Sequence, residues 1–304
     1  MITGIPKKSD YDSTARALLN LAWQISIDLS IFLKEAKENS GAQRIERKYW
    51  RACQPQLTTA LSLTQQASEL FLKARIISKS PYLLISTEPK NWSKVCDNTR
   101  VPFSEFRTID AQDLIYVHDA VGLPCLSPDT KKCFNDLRKK RNTIMHAVDK
   151  HLKLDLHQII IAILEYSDCF VGPSKWIECR RQHIESSPNA IAYRNFPDAT
   201  TFCLAREFEC VIEALAPAEI KDFFRFDKKQ RRYTCPHCTS DCRDAEYKPR
   251  FALLQPKGSN STTLHCYLCE NDFSVIRKPC AKRRCKGNVI FKDELGDETC
   301  LTCD

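Results

Sequence analysis

A chain of 304 residues, 43% hydrophobic and 28% charged, has the balance of a globular protein long enough for one large domain with an appendage or for two ordinary domains. With only 7 glycines and little strand-like alternation it is expected to be mainly α. The formal charge of +8 favours an acidic partner such as nucleic acid, though ordinary proteins often carry as much.

In chain order, Leu18, Leu19, Ile25, Leu29, Phe32 and Leu33 recur at helical spacing. They predict a helix over 13–39, with Ser13 as N-cap and Gly41 as stop. A second helix starts near Gln43 and meets Pro55, and a third covers 56–79 through Leu57, Leu61, Leu70, Phe71 and Ile77. Residues 81–106 mix Pro, Asn, Ser and Thr and read as a long surface connection. Asp110 caps a short helix over 111–121, and Ser127–Pro128 opens the helix that holds RKKRNTIMH (138–146). A helix from about 155 breaks at Gly172–Pro173 and resumes over 174–185, and another covers 198–215. Residues 1–225 thus read as an all-α domain. The N-terminus MITGIPKKSDYDSTAR lacks the apolar core of a signal peptide. No apolar run reaches the ~18 residues that span a bilayer, so a cytoplasmic protein without a membrane partner is expected.

On a helical wheel Phe134, Leu137, Ile144 and Val148 fall within about 80° of one another, and Arg141 falls inside that apolar stripe. Asn142 and His146, four apart, share a neighbouring face. Arg138 lies between the two groups, and Lys139 and Lys140 point to solvent. An arginine on a packing face needs a partner or an interface, because an unpaired buried charge is very costly. Arginine offers phosphate a bidentate fork, and histidine exchanges protons near neutral pH. A basic helix edge with an incidental histidine explains the spacing alone equally well.

RNTIMH resembles the Arg-x4-His motif, with a polar residue after the arginine, of the HEPN superfamily of all-α ribonucleases. QASELFLKARIISKSPYLLI (66–85) and FRTIDAQDLIYVHDAVG (106–122) are similar to the segments that lead to it, so the resemblance covers roughly residues 10–215. It implies a helical bundle that dimerises, with motif residues of both subunits in one composite site, and a metal-independent endoribonuclease. Carried over by position, Arg141 binds phosphate, Asn142 orients the histidine or bonds a phosphate oxygen, and His146 is the acid-base group. Beside them, Arg138 is either an auxiliary phosphate contact or simply solvated. Glu69, otherwise a surface partner of Lys73, would orient the arginine. The RNA 2′-OH attacks its own phosphate, giving 2′,3′-cyclic phosphate ends, so the protein supplies proton transfer and charge stabilisation. Family members are often toxins or antiphage defence effectors that cut tRNA or other RNAs, so an antitoxin or regulatory partner is also implied.

Seventeen cysteines without a secretory signal argue for reduced thiols and metal ligands. Cysteines 53, 96, 125, 133, 169, 179, 203 and 210 are expected in the core as small hydrophobes. The others crowd into 235–303: Cys235-x2-Cys238 with Cys266-x2-Cys269, then Cys280-x4-Cys285 with Cys300-x2-Cys303. Such paired knuckles suit two structural zinc ions, each held by four thiolates, with short strands over 250–254, 263–266, 272–277 and 288–292. Cys242, His237 and His265 are spare donors that leave the first ligand set open. Residues 228–304, a small β-rich double zinc ribbon, hold 15 Lys and Arg against 10 Asp and Glu. Two zinc tetrathiolates would cancel most of that excess, so local clusters argue better for RNA contact: KKQRR (228–232) and KRRCK (282–286), with Tyr233, Tyr247 and Tyr267 to stack on bases. Two other readings stay open: a non-catalytic RNA- or nucleotide-binding module, and a zinc-ribbon regulator that binds DNA or protein.

Overall fold

The computed structural model describes residues 1–40, 45–92, 100–121, 124–147, 153–192, 199–242, 247–258 and 260–303. The chain is mainly helical, ends in a small antiparallel sheet and divides into two compact units, Met1–Pro173 and Ser174–Asp304. The cysteine pattern suggested a division near residue 230. The contacts divide it earlier, because the helices over 176–224 cluster with the sheet.

In the first unit α1 (Lys8–Ser40), α3 (Gln54–Ile77), α5 (Pro128–Ala147) and α6 (Leu156–Tyr166) form a bundle, with α2 (Glu46–Ala52) and α4 (Ala111–Ala120) against α3. The centre is α3, which touches all of them. Its Leu57, Leu61, Phe71, Leu72 and Ile76 are buried around more than one face, as a core helix requires. Pro55 does not break this helix but sits in its first turn, where a missing N–H costs nothing.

Helix α1 starts earlier than expected. The Asp10 carboxylate accepts from the Lys7 amide (2.8 Å), and Ser13 lies inside the helix, bonded back to the Asp10 carbonyl (3.2 Å). Its expected stop, Gly41, lies outside the described residues. Length and composition would let Lys8–Glu38 cross a membrane, against the expectation from the sequence. In the fold, however, its Ala15, Leu19, Trp23 and Ile27 face is fully buried.

The stretch over 81–106 is more than a surface connection. Its described part carries 3-10 turns at Pro81–Leu84 and Phe103–Glu105, and β2 (Val101–Pro102) pairs parallel with β1 (Ile2–Thr3). Leu84, Phe103 and Phe106 are buried, the first two in one cluster with Leu72, Ile76, Leu114 and Phe134. Apolar residues spaced irregularly among Pro and Ser gave no periodic sign of this.

The second unit holds α7 (Trp176–Glu185), α8 (Pro188–Ala192), α9 (Ala199–Ala214), α10 (Pro217–Phe224) and α11 (Pro236–Cys242). Its sheet runs β3 (Ala252–Leu254), β4 (Thr263–Cys266), β5 (Asp272–Ile276), β6 (Ile290–Lys292) and β7 (Glu298–Cys300), each antiparallel to the next. The first four strands lie where the sequence placed them, and β7 is additional. The helices are tied to the sheet end: Arg181 donates to the Leu268 carbonyl (2.7 Å), Thr201 bonds the Asp241 carboxylate (3.3 Å), and Phe202 meets Tyr247 edge-on.

Candidate metal centres and the motif helix

The eight cysteines paired by spacing meet as two groups of four: Cys235, Cys238, Cys266 and Cys269, and Cys280, Cys285, Cys300 and Cys303. In each group all four sulfurs lie within 4.8 Å of one another. Four sulfurs about 2.3 Å from a tetrahedral zinc stand about 3.8 Å apart. The measured edges are 3.7 Å (Cys235–Cys269), 3.8 Å (Cys238–Cys266), 3.7 Å (Cys280–Cys303) and 3.9 Å (Cys285–Cys300). A disulfide needs about 2.05 Å, so these are thiol groups shaped for a cation.

Local backbone brings them there. Cys235 precedes α11, whose first turn presents Cys238, and the Cys238 amide donates to the Cys235 sulfur (3.4 Å). Cys266 ends β4. The tight turn after it, closed by the Glu270 amide on the Cys266 carbonyl (2.8 Å) with Glu270 at φ 61°, returns Cys269 to the site. At the second group the Gly287 amide donates to the Cys285 sulfur (3.2 Å) and the Lys282 amide to the Cys280 sulfur (3.4 Å). Such amide donors stabilise thiolates and fix their direction.

Crowding separates the thiols of the first group. Hydrogen bonding with Cys235 and Cys266 pushes the Cys238 thiol far up, and hydrogen bonding from Cys235 and Cys238 holds Cys269 far below the ordinary thiol range. Four sulfurs at such distances cannot all be anionic without a cation among them.

The spare donors are engaged elsewhere: His237 with Asp241 (3.1 Å) and His265 with Asp272 (2.8 Å). Cys242 is buried outside both groups. Of the eight scattered cysteines, Cys53, Cys179 and Cys210 are buried as expected. Cys133 and Cys169 are half-buried, Cys125 and Cys203 are exposed against expectation, and Cys96 lies outside the described residues.

The motif lies on α5, whose N-terminus is capped as expected by Ser127, its Oγ accepting from the Thr130 amide (3.1 Å). Phe134 and Leu137 are buried, but from Arg138 to Ile144 no side chain is. The apolar stripe is thus fully buried only in its first half, Ile144 is half-buried, and Arg141 is exposed rather than on a packing face. Its guanidinium donates to the neighbouring Asn142 Oδ1 (3.2 Å). Arg138 is half-buried with its Nε unpartnered, and Lys140 donates to Gln158 on α6 (2.5 Å) instead of pointing free. His146 lies on the same helix, its side chain outside the described part.

Glu69 accepts from Gln65 (3.4 Å) and acts electrostatically on Lys73, whose burial lowers its pKa against the pull of Glu69 and Asp110. Among the described residues no hydrogen bond or ion pair joins Glu69 to Arg138, Arg141 or Asn142. The tyrosines named for stacking are also committed. Tyr233 is buried, the Tyr247 hydroxyl is buried, and Tyr267 packs on Phe226 and His265.

Searches against family models, curated proteins and solved structures find no match for this chain. The chain therefore shows a mainly helical fold with two four-cysteine groups able to hold metal ions, and the likeness to HEPN ribonucleases rests on the residues quoted for it.

Proposed function

We propose that this protein is a metal-independent endoribonuclease of the HEPN type whose C-terminal unit holds two structural zinc ions and helps to hold RNA. The observation that carries the reading is RNTIMH on one continuous helix, anchored in the bundle by Phe134 and Leu137, with Arg141 open to solvent beside Asn142. An exposed guanidinium is available to a phosphate. Arg141 is exposed in the single chain, so the reading requires a second copy of the chain to complete the composite site. In that dimer Arg141 binds the scissile phosphate, Asn142 orients, and His146 transfers the proton that the 2′-OH gives up. Zinc is the ion assigned because four soft thiolates in a tetrahedron suit it and no open ligand position is needed. A toxin or antiphage role, with an antitoxin or regulatory partner, belongs to the same reading and has no other support.

The test is incubation of wild type and His146→Ala with a mixed RNA pool in magnesium-free buffer, with the new ends identified and the mass in solution measured. Cyclic-phosphate ends made by a wild-type dimer alone support the reading. A wild-type monomer, or ends made by both proteins, ends it. The exposure of Arg141 favours a second reading, in which the bundle binds RNA without cutting it. That reading expects binding without new ends from either protein.

A further inference from the structure

We propose that the knuckle Lys282–Lys286, beside Cys285 of the second four-cysteine group, binds the phosphate backbone of single-stranded RNA. The choice of RNA rests on the nuclease reading above.

The two basic runs of the second unit differ in what their cations do. In 228–232, Lys228 donates to the carbonyls of Glu213 (3.3 Å) and Leu215 (2.7 Å), closing the C-terminal end of α9, where a cation also opposes the helix dipole. Gln230 donates to the Leu254 carbonyl (2.9 Å), and Arg231 lies 5.6 Å from the centroid of the Tyr233 ring. In that run Lys228 is built into the fold, Arg231 sits over a ring and exposed Lys229 acts on the Asp227 carboxylate, which leaves Arg232 as the one cation without such a contact among the described residues. In 282–286, Lys282, Arg283, Arg284 and Lys286 are all exposed. Among the described residues none of their side chains has a hydrogen bond, ion pair or ring contact. A nearby acid is already taken: Glu298 pairs with Lys278. Arg277, at the foot of the knuckle, donates to Asn288 Oδ1 (3.1 Å) and has no acidic partner among the described residues.

The four cations are also held in place. The Cys285 amide donates to the Lys282 carbonyl (2.8 Å), and the Cys280 amide donates to the Gly287 carbonyl (2.9 Å), so the run is a closed turn around a metal ligand. A surface fixed in this way loses little backbone entropy on binding. A metal tetrathiolate beneath it would carry about −2, which four lysines and arginines outweigh.

The shape selects the ligand. Residues 282–286 form a turn and not a helix, and a short turn cannot fill a major groove about 12 Å wide to read base edges. It can follow a flexible backbone, which makes the contact electrostatic and indifferent to sequence. Four phosphate contacts on a single strand give a slope of log K against log salt of about −2.8.

The experiment uses full-length His146→Ala, so that RNA stays intact, and a short labelled single-stranded RNA followed by anisotropy between about 50 and 200 mM salt. Replacing Lys282, Arg283, Arg284 and Lys286 by Gln together should weaken binding at low salt by tenfold or more and flatten the slope by about 2–3. Glutamines at Lys229, Arg231 and Arg232 should change it much less. Metal content measured on each variant separates lost charge from a lost fold. The proposal is overturned if the knuckle variant keeps both metals and binds with unchanged affinity and slope. It is also overturned if duplex RNA of equal length binds tighter, or if the parent protein binds no RNA. RNA binding that follows the knuckle in a protein that never cuts RNA sinks only the nuclease reading. Cutting by wild type while binding ignores the knuckle sinks only this one.

Discussion

Gly287 and Thr302 approach so closely that a Cβ built on the glycine would lie 2.5 Å from the threonine Cβ and 3.0 Å from Cys300 Sγ. The contact presses the Cys285 knuckle onto the Cys303 knuckle, and the glycine is needed there for space. Gly287→Ala should force the knuckles apart at a cost of about 1–3 kcal/mol from overpacking alone, and lower the metal content from two equivalents to one. Elemental analysis of the purified variant decides it. Two equivalents held as tightly as in wild type would show that Thr302 can simply move aside.

The two groups should also lose metal at different rates. Cys235, Cys238 and Cys266 are fully buried, whereas Cys280, Cys285 and Cys303 are half-exposed. A chelator should therefore remove one equivalent quickly and one slowly, and Cys303→Ser should lack the quick phase. Persistence of that phase in Cys303→Ser would reverse the assignment.

Arg180 and Glu207 form a buried bidentate pair, with Nε and Nη2 donating to the two carboxylate oxygens at 2.8 and 2.7 Å. Arg180→Met leaves a buried carboxylate without its main partner and should cost about 3–5 kcal/mol. Adding Glu207→Leu should recover most of that loss, since a pair of buried charges is often replaceable by apolar bulk. Urea unfolding of the two single variants and the double variant gives the coupling. A double variant as unstable as the worse single one would contradict this account.

Asp119 gives the first unit a pH dependence. Its burial raises the carboxyl pKa, but hydrogen bonds from Lys131, the buried His118 and the Leu126 amide outweigh that and hold it below the ordinary carboxylate range. A carboxyl depressed in the folded state stabilises above its unfolded pKa of about 3.9, and that contribution fades as pH falls through the folded value. Asp119→Ala should therefore melt below wild type at pH 6, and the gap should close towards pH 3. Acid loss of metal affects both proteins, so the difference in melting temperature isolates this residue. A gap independent of pH would mean that Asp119 acts only through packing.

The sequence by itself determined the helices of the bundle to within a few residues, because apolar periodicity and a cap such as Ser127 are local. It also determined which eight cysteines belong together, since knuckle spacing is a property of short backbone turns. Only the tertiary structure decided the rest. Leu84 and Phe103 enter the core from an irregular segment because long-range packing needs no period. Helices 176–224 join the sheet through bonds such as Arg181 to Leu268, which no local pattern announces. Arg141 falls on the apolar stripe of the helical wheel and is nevertheless exposed, because burial depends on what covers a face, and a wheel describes only the helix that presents it.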